Sequence, residues 1–124
     1  KGGHLVLRGG SNGPNYETDS IVHAEKQLLK ANANNAIIID CSHANSNKDH
    51  NKQSDVLLDI LKQKQAGNTS IIGVMLESNL NEGKQSIPKD LHTLQYGVSI
   101  TDACINFETT EKNLKELDAG LLEV

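Results

Sequence analysis

Four short apolar runs, each followed by a stretch of helical period or a polar loop, set the tightest limit on how this chain can fold. The first is His4 to Arg8, centred on Leu5-Val6-Leu7, and a Gly/Asn/Pro loop from Gly9 to Asn15 follows it. Ile21, Val22, Leu28 and Leu29 then return to one face, which predicts a helix capped by Thr18 or Asp19 and ending near Lys30. Ala36 to Ile39 is β-branched and does not alternate, as in a strand covered on both faces. Val56, Leu57, Ile60 and Leu61 make the stripe of a helix from about Asp49 to Gln65, stopped near Gly67. Ile71 to Leu76 reads as a third strand and Val98 to about Ile105 as a fourth. Leu114, Leu117 and Leu121 mark a last helix. Ser78 to Tyr96 has little apolar periodicity, and connections of that length are usually functional or mobile.

Strand and helix alternating four times argue for a parallel sheet with helices packed outside it. The polar residues choose among such folds. Arg8, His43, Glu77 and Asp102 each stand at or just beyond the carboxyl end of a run. Their mean separation of about 31 residues is that of a barrel with eight βα units in about 250 residues. The expected class is therefore α/β, a parallel (βα)4 half of a TIM (β/α)8 barrel, with residues 1–124 forming one unit and no second domain. Half a barrel has two open sheet edges and an unfilled interior, so it needs a missing amino-terminal half or another copy of itself. A homo-oligomer is the expected assembly. The chain opens at Lys1 and reaches a strand by Leu5, which reads as a fold entered partway through.

Charge narrows the partners. Twelve basic and sixteen acidic side chains give a net charge of -4, without a polybasic footprint for nucleic acid or anionic lipid. No apolar run approaches the roughly 18 residues of a membrane span, and no signal peptide is visible. Small molecules or protein are the expected partners, and the cytoplasm the expected compartment. Cys41 and Cys104 fall in apolar runs and are expected as reduced core thiols.

His43, Glu77 and Asp102 would bring one imidazole and two carboxylates to a common mouth, a donor set suited to a divalent metal with open positions. Taken singly, each has a plainer reading: a loop histidine bonded to backbone, a strand-end carboxylate facing water, a turn or cap aspartate. Arg8 ends an apolar strand, where its guanidinium can grip a phosphate or carboxylate with forked hydrogen bonds. A surface arginine beside turn glycines is the alternative. Lys48 can reach an anion near His43 or simply open a helix. His4, His23, His50 and His92 have no metal-motif spacing, and the glycine loop matches neither the Walker A nor the GxGxxG pattern.

Four blocks in order resemble class I DAHP synthase (3-deoxy-D-arabino-heptulosonate 7-phosphate synthase) over essentially the whole chain. They are Leu7-Arg8-Gly9-Gly10 with Pro14-Asn15-Tyr16; Asp40 to Lys48; Gly73 to Ser78 with Glu82-Gly83 and Gln85; and Tyr96 to Cys104. The resemblance implies that His43, Glu77 and Asp102 ligate a catalytic divalent metal of Mn, Fe, Zn or Co type. It also implies that Arg8 binds phosphoenolpyruvate and that His43 lies near that substrate as a catalytic residue. The reaction implied joins phosphoenolpyruvate to erythrose 4-phosphate, an aldol-type transferase step that opens the shikimate pathway to chorismate and the aromatic amino acids. A fourth, cysteine ligand and a Lys-Pro-Arg-Thr block for erythrose 4-phosphate are expected upstream of Lys1, so the segment alone is expected to be inactive. Ser11-Asn12-Gly13 and Phe107 depart from the commonest family pattern without touching the proposed ligands. Competing expectations are the related synthase that uses arabinose 5-phosphate and a non-catalytic half-barrel that self-associates through its open edges.

Overall fold

A computed structural model describes residues 2–122. Strand β1 (Leu5–Leu7) leads through the glycine loop to helix α1 (Thr18–Lys30). Strand β2 (Ile37–Asp40) is followed by a 3-10 turn, His50–Lys52, that runs into α2 (Gln53–Gln65). After β3 (Ile71–Met75) come a second 3-10 turn, Leu91–Thr93, and the helix α3 (Phe107–Leu121). The strands form one parallel sheet in the order β1-β2-β3. Leu5 pairs with Ile37 and Leu7 with Ile39; Ile37 pairs with Ile71 but Ile39 with Val74, so the register slips by one residue inside β3.

The core lies on one face of this sheet. Ile37, Ile39, Cys41 and Ile71 pack against Ile21 and Ala24 of α1 and Val56, Leu57 and Ile60 of α2, all nearly inaccessible to solvent. Leu5, Leu7, Val74 and Leu76 extend that layer. Burial of such side chains stabilises by about 1.5–3 kcal/mol each, which fixes the helices on this side. Among the described residues the opposite face carries no helix, and Val6 stands 46% exposed on it, while Ile72, the extra residue at the register slip of β3, is 59% exposed. Parallel sheets are normally covered on both faces, so this bare apolar face agrees with an unclosed portion of a barrel whose interior side is open.

Local details depart from the sequence reading in four places. Glu17, rather than Thr18 or Asp19, holds the cap position of α1, and its side chain makes no capping bond. Leu29 lies 80% exposed outside the α1 stripe, where Ala24 packs instead. Asp49 caps the 3-10 turn by accepting from the Asn51 N–H, so α2 proper begins four residues later. On α3, Leu117 reaches the core while Leu114 and Leu121 remain substantially exposed, and the buried Asn113 donates to the Ser54 hydroxyl.

The fourth apolar run makes no continuous strand. Ile105 forms a parallel bridge with Ser78, and its N–H donates to the Glu77 carbonyl at 3.0 Å. Cys104 instead bridges Gly83 in the antiparallel sense, and Ser99 bridges Lys84. The run therefore sits beside the end of β3, in the order a fourth βα unit requires, but mostly bonds to its own long connection. Ser99 shows why: its hydroxyl accepts from the Thr101 N–H at 3.2 Å, a local turn that competes with a ladder. Among the described residues, no helix is long and apolar enough to cross a membrane.

Candidate metal centre

His43, Glu77 and Asp102 meet at the carboxyl ends of the strands. The turn after β2 places the imidazole. Asp40, the last residue of β2, is buried; its Oδ1 accepts from the Ser42 N–H at 2.8 Å and its Oδ2 lies 2.7 Å from His43 Nδ1. An ionised carboxylate only accepts, so Nδ1 carries the hydrogen and a neutral imidazole turns its Nε2 lone pair outward. His43 holds this pose at φ 46°, a left-handed conformation uncommon outside glycine, though histidine enters it more readily than most side chains.

Gly9 makes room for that turn. Its own φ is +74°, and a Cβ built there would stand 2.7 Å from Ala44 Cβ and 2.9 Å from the Asn45 N. Asn45, almost fully buried, ties the ends of the first two strands together by donating to the Leu7 and Asp40 carbonyls at 3.1 and 2.8 Å. Its Oδ1 accepts from the Asn15 N–H, and the Asn15 carboxamide oxygen in turn accepts from the Gly9 N–H. The junction that carries Arg8 is thereby fixed against the one that carries His43.

Glu77 arrives two residues beyond β3. Its Oε1 lies 3.8 Å from His43 Nε2, while Asp102 Oδ2 approaches the same nitrogen to 3.9 Å. One donor atom from each residue falls within 4.8 Å of the others. Ligand atoms at about 2.0–2.2 Å from one ion stand roughly 3–3.5 Å apart, so a small closure of these side chains fits the trio to one cation. Two carboxylates and an imidazole also match the donor chemistry of a divalent metal. The exposure is graded: His43 and Glu77 side chains are about a quarter exposed and that of Asp102 is 67% exposed, so the group opens onto the bare side of the half-built rim.

Arg8 sits on the same rim, directly after β1, but exposed and outside the cluster, and among the described residues it makes no ion pair. Lys48 is exposed, with φ 61°. His4, His23 and His92 are exposed and His50 half-buried, and none joins the trio. Both cysteines are free and buried. Burial first, and then the Asp40 carboxylate, pushes the Cys41 thiol up to about 12, which keeps it protonated and unlike a metal ligand. Burial also raises Cys104, with Glu77 and Asp102 adding to the rise and a hydrogen bond with Ser99 opposing it. A cavity of about 550 Å³ lined by His4, Leu5, Leu28 and Asn32 lies at the opposite, amino-terminal end of β1, where barrel folds place stability rather than chemistry.

Sequence reasoning missed the residues that orient the donors. Asp40 carried a usable signal, a carboxylate three residues before a histidine at a strand end. Ser42, Asn45 and Gln53 carried none, because small polar residues in turns and first helical turns are common for many reasons.

The family described as "DAHP synthetase I family" matches residues 1–115. The chain belongs to that family. Among its relatives in the DAHP synthetase I family, the Tyr-sensitive phospho-2-dehydro-3-deoxyheptonate aldolase of Enterobacter agglomerans is 50% identical over 119 residues, covering 96% of this chain and 55% of that protein. The Tyr-sensitive aldolase of Escherichia coli K12 is 44% identical over 119 residues, 96% of this chain and 33% of that one. The phenylalanine-inhibited aldolase of Saccharomyces cerevisiae is 48% identical over 123 residues, 94% and 33%. The phospho-2-dehydro-3-deoxyheptonate aldolase structure from Francisella tularensis SCHU S4 superposes with a TM-score of 0.91 at 46% identity, covering 97% of this chain and 34% of that one. The chain thus spans between about a third and a little over half the length of these relatives.

Proposed function

We propose that this chain is the carboxyl-terminal half of a DAHP synthase barrel whose complete form condenses phosphoenolpyruvate with erythrose 4-phosphate and releases phosphate. The convergence of His43 Nε2, Glu77 and Asp102 within 4.8 Å carries this reading, and membership of the family supports it. Those three residues would hold a divalent cation of Mn, Fe, Zn or Co type. Such an ion supplies Lewis-acid polarisation of a carbonyl oxygen on which charge develops.

This chain's own residues then do three things. Arg8 takes a phosphate or carboxylate of phosphoenolpyruvate with its planar fork of donors. His43, oriented by Asp40, lies near the same substrate as well as binding the ion. The Gly9–Asn15–Asn45 linkage keeps these two contacts at a fixed separation, which is the positional control that a two-substrate reaction needs. In the reaction, the enol methylene carbon attacks the aldehyde carbon, water adds at the neighbouring enol carbon, and inorganic phosphate leaves.

A bare sheet face and a cluster open at its rim leave water exclusion, a further ligand and most substrate cations to an amino-terminal half. The segment alone is therefore inactive, and the assembled protein is read as a homo-oligomer in the cytoplasm. The test is phosphate release from the two substrates by the full-length chain carrying this segment. Chelation and each of His43→Ala, Glu77→Gln and Asp102→Asn should reduce it to background; undiminished turnover in all three variants would overturn the ligand assignment. The exposed Val6 and Ile72, carried by the two edge strands β1 and β3 whose outer edges are open, favour one other reading, a non-catalytic half-barrel that pairs with its own copy. A folded dimer of the segment in sedimentation, with no gain of activity when the upstream half is supplied, would establish it.

A further inference from the structure

Gln53 opens α2 and is completely buried, a costly place for a carboxamide unless both of its ends are satisfied. Both are. Its Nε2 donates to the Glu77 carbonyl at 3.0 Å and its Oε1 accepts from the Glu77 N–H at 2.7 Å. One side chain thus supplies the two bonds that a neighbouring strand would give, at a point two residues after β3 has ended. The acidic side chain is held separately. Ser42, 4% exposed, donates its hydroxyl to Glu77 Oε2 at 2.6 Å, while the other oxygen, Oε1, faces His43 Nε2.

We propose that Gln53 and Ser42 are positioning residues for Glu77, the first fixing its backbone and the second engaging Oε2, so that the carboxylate offers a single oxygen to a divalent cation. This rests on the metal reading above. Ser42 links the two donors, since its N–H is bound to the carboxylate that orients His43 and its hydroxyl to the carboxylate of Glu77. A carboxylate that gives one oxygen uses one coordination position and leaves more of them open for substrate.

Cobalt(II) titration of the metal-free full-length chain, followed by visible absorption and calorimetry, tests this. Ser42→Ala frees Oε2, so Glu77 gives both oxygens; the higher coordination number should weaken the cobalt absorption bands while the metal-free thermal midpoint barely moves. Gln53→Met, similar in shape but unable to clasp, should lower cobalt affinity about 10–100-fold, the usual cost of losing a group that orients a ligand. Ile60→Val, a cavity in the same helix away from the clasp, should lower the thermal midpoint and leave affinity and spectrum unchanged. Should Gln53→Met fail to fold, the Ser42→Ala spectrum decides. An unchanged spectrum in Ser42→Ala, or an affinity loss in Gln53→Met that Ile60→Val reproduces, overturns the proposal alone. A parent protein that binds no cobalt overturns the metal reading and this proposal together.

Discussion

Residues 5–75 and residues 78–105 are held together by different physics. The first region repeats strand and helix around Ile37, Ile39, Val56 and Ile60, where apolar side chains set position. The second region has one short 3-10 turn and depends on polar bonds. Gln85 is its clearest device: its side chain donates to the Gln95 and Val98 carbonyls at 2.8 and 2.9 Å and accepts from the Gln95 N–H. Leu80, Ile87, Leu91 and Tyr96 remain more than half exposed there. His43 and Glu77 are carried by the first kind of structure and Asp102 by the second, so the candidate metal centre joins a stiff part to a softer one.

The largest effect that sharpens this contrast is expected at Ile39, fully buried in the middle strand. Ile39→Ala should lower the unfolding free energy of the full-length protein by about 2–5 kcal/mol in urea titration. Tyr96→Ala, at 87% exposure, should change it by less than about 0.5 kcal/mol. Equal losses at the two positions would break the division.

Next in size is a pH effect at Cys41. Its folded pKa is raised from 9.0 to about 12 by burial and by Asp40. Above pH 9 the unfolded chain sheds this proton while the folded chain keeps it. The unfolded state then binds fewer protons, and stability falls as pH rises, by up to about 1.4 kcal/mol per unit until the folded thiol titrates. Cys41→Ala should flatten the pH 9–11 stability curve. Cys104, in the polar region, should also alkylate faster than Cys41 in the native protein.

A smaller, local effect is expected for Gln85→Ala. Amide exchange at Gln95 and its neighbours should speed up while the thermal midpoint holds, because the bonds lost lie within the loop. Smallest of all is Lys115→Ala, which removes an exposed pair with Glu111 at 2.9 Å and should cost less than about 0.5 kcal/mol.

The same contrast explains what could be read in advance. Apolar period located β1, β2, β3 and all three helices within a few residues, because burial against a sheet writes itself into residue spacing. The carboxyl-end rule brought His43, Glu77 and Asp102 to one rim from three separate runs. It did not reveal that the run from Val98 to Ile105 would pair mainly with its own connection, since Ser99 and Thr101 suit a strand as well as a turn. Nor did it reveal the clasp at Gln53, whose partner lies 24 residues away and depends on how α2 packs. Polar geometry of that kind is fixed only once the apolar layers have settled.

The single-residue slip between β2 and β3 has a consequence for handedness of presentation. Side chains alternate along a strand, so from the helix-facing Ile71 an unbroken count would send residues 73, 75 and 77 toward the helices. With Ile72 as the extra residue, Val74 and Leu76 pack into the core instead. Parity is inverted from that point on, and the carboxylate at position 77 emerges on the open side, where the imidazole of the preceding unit awaits it.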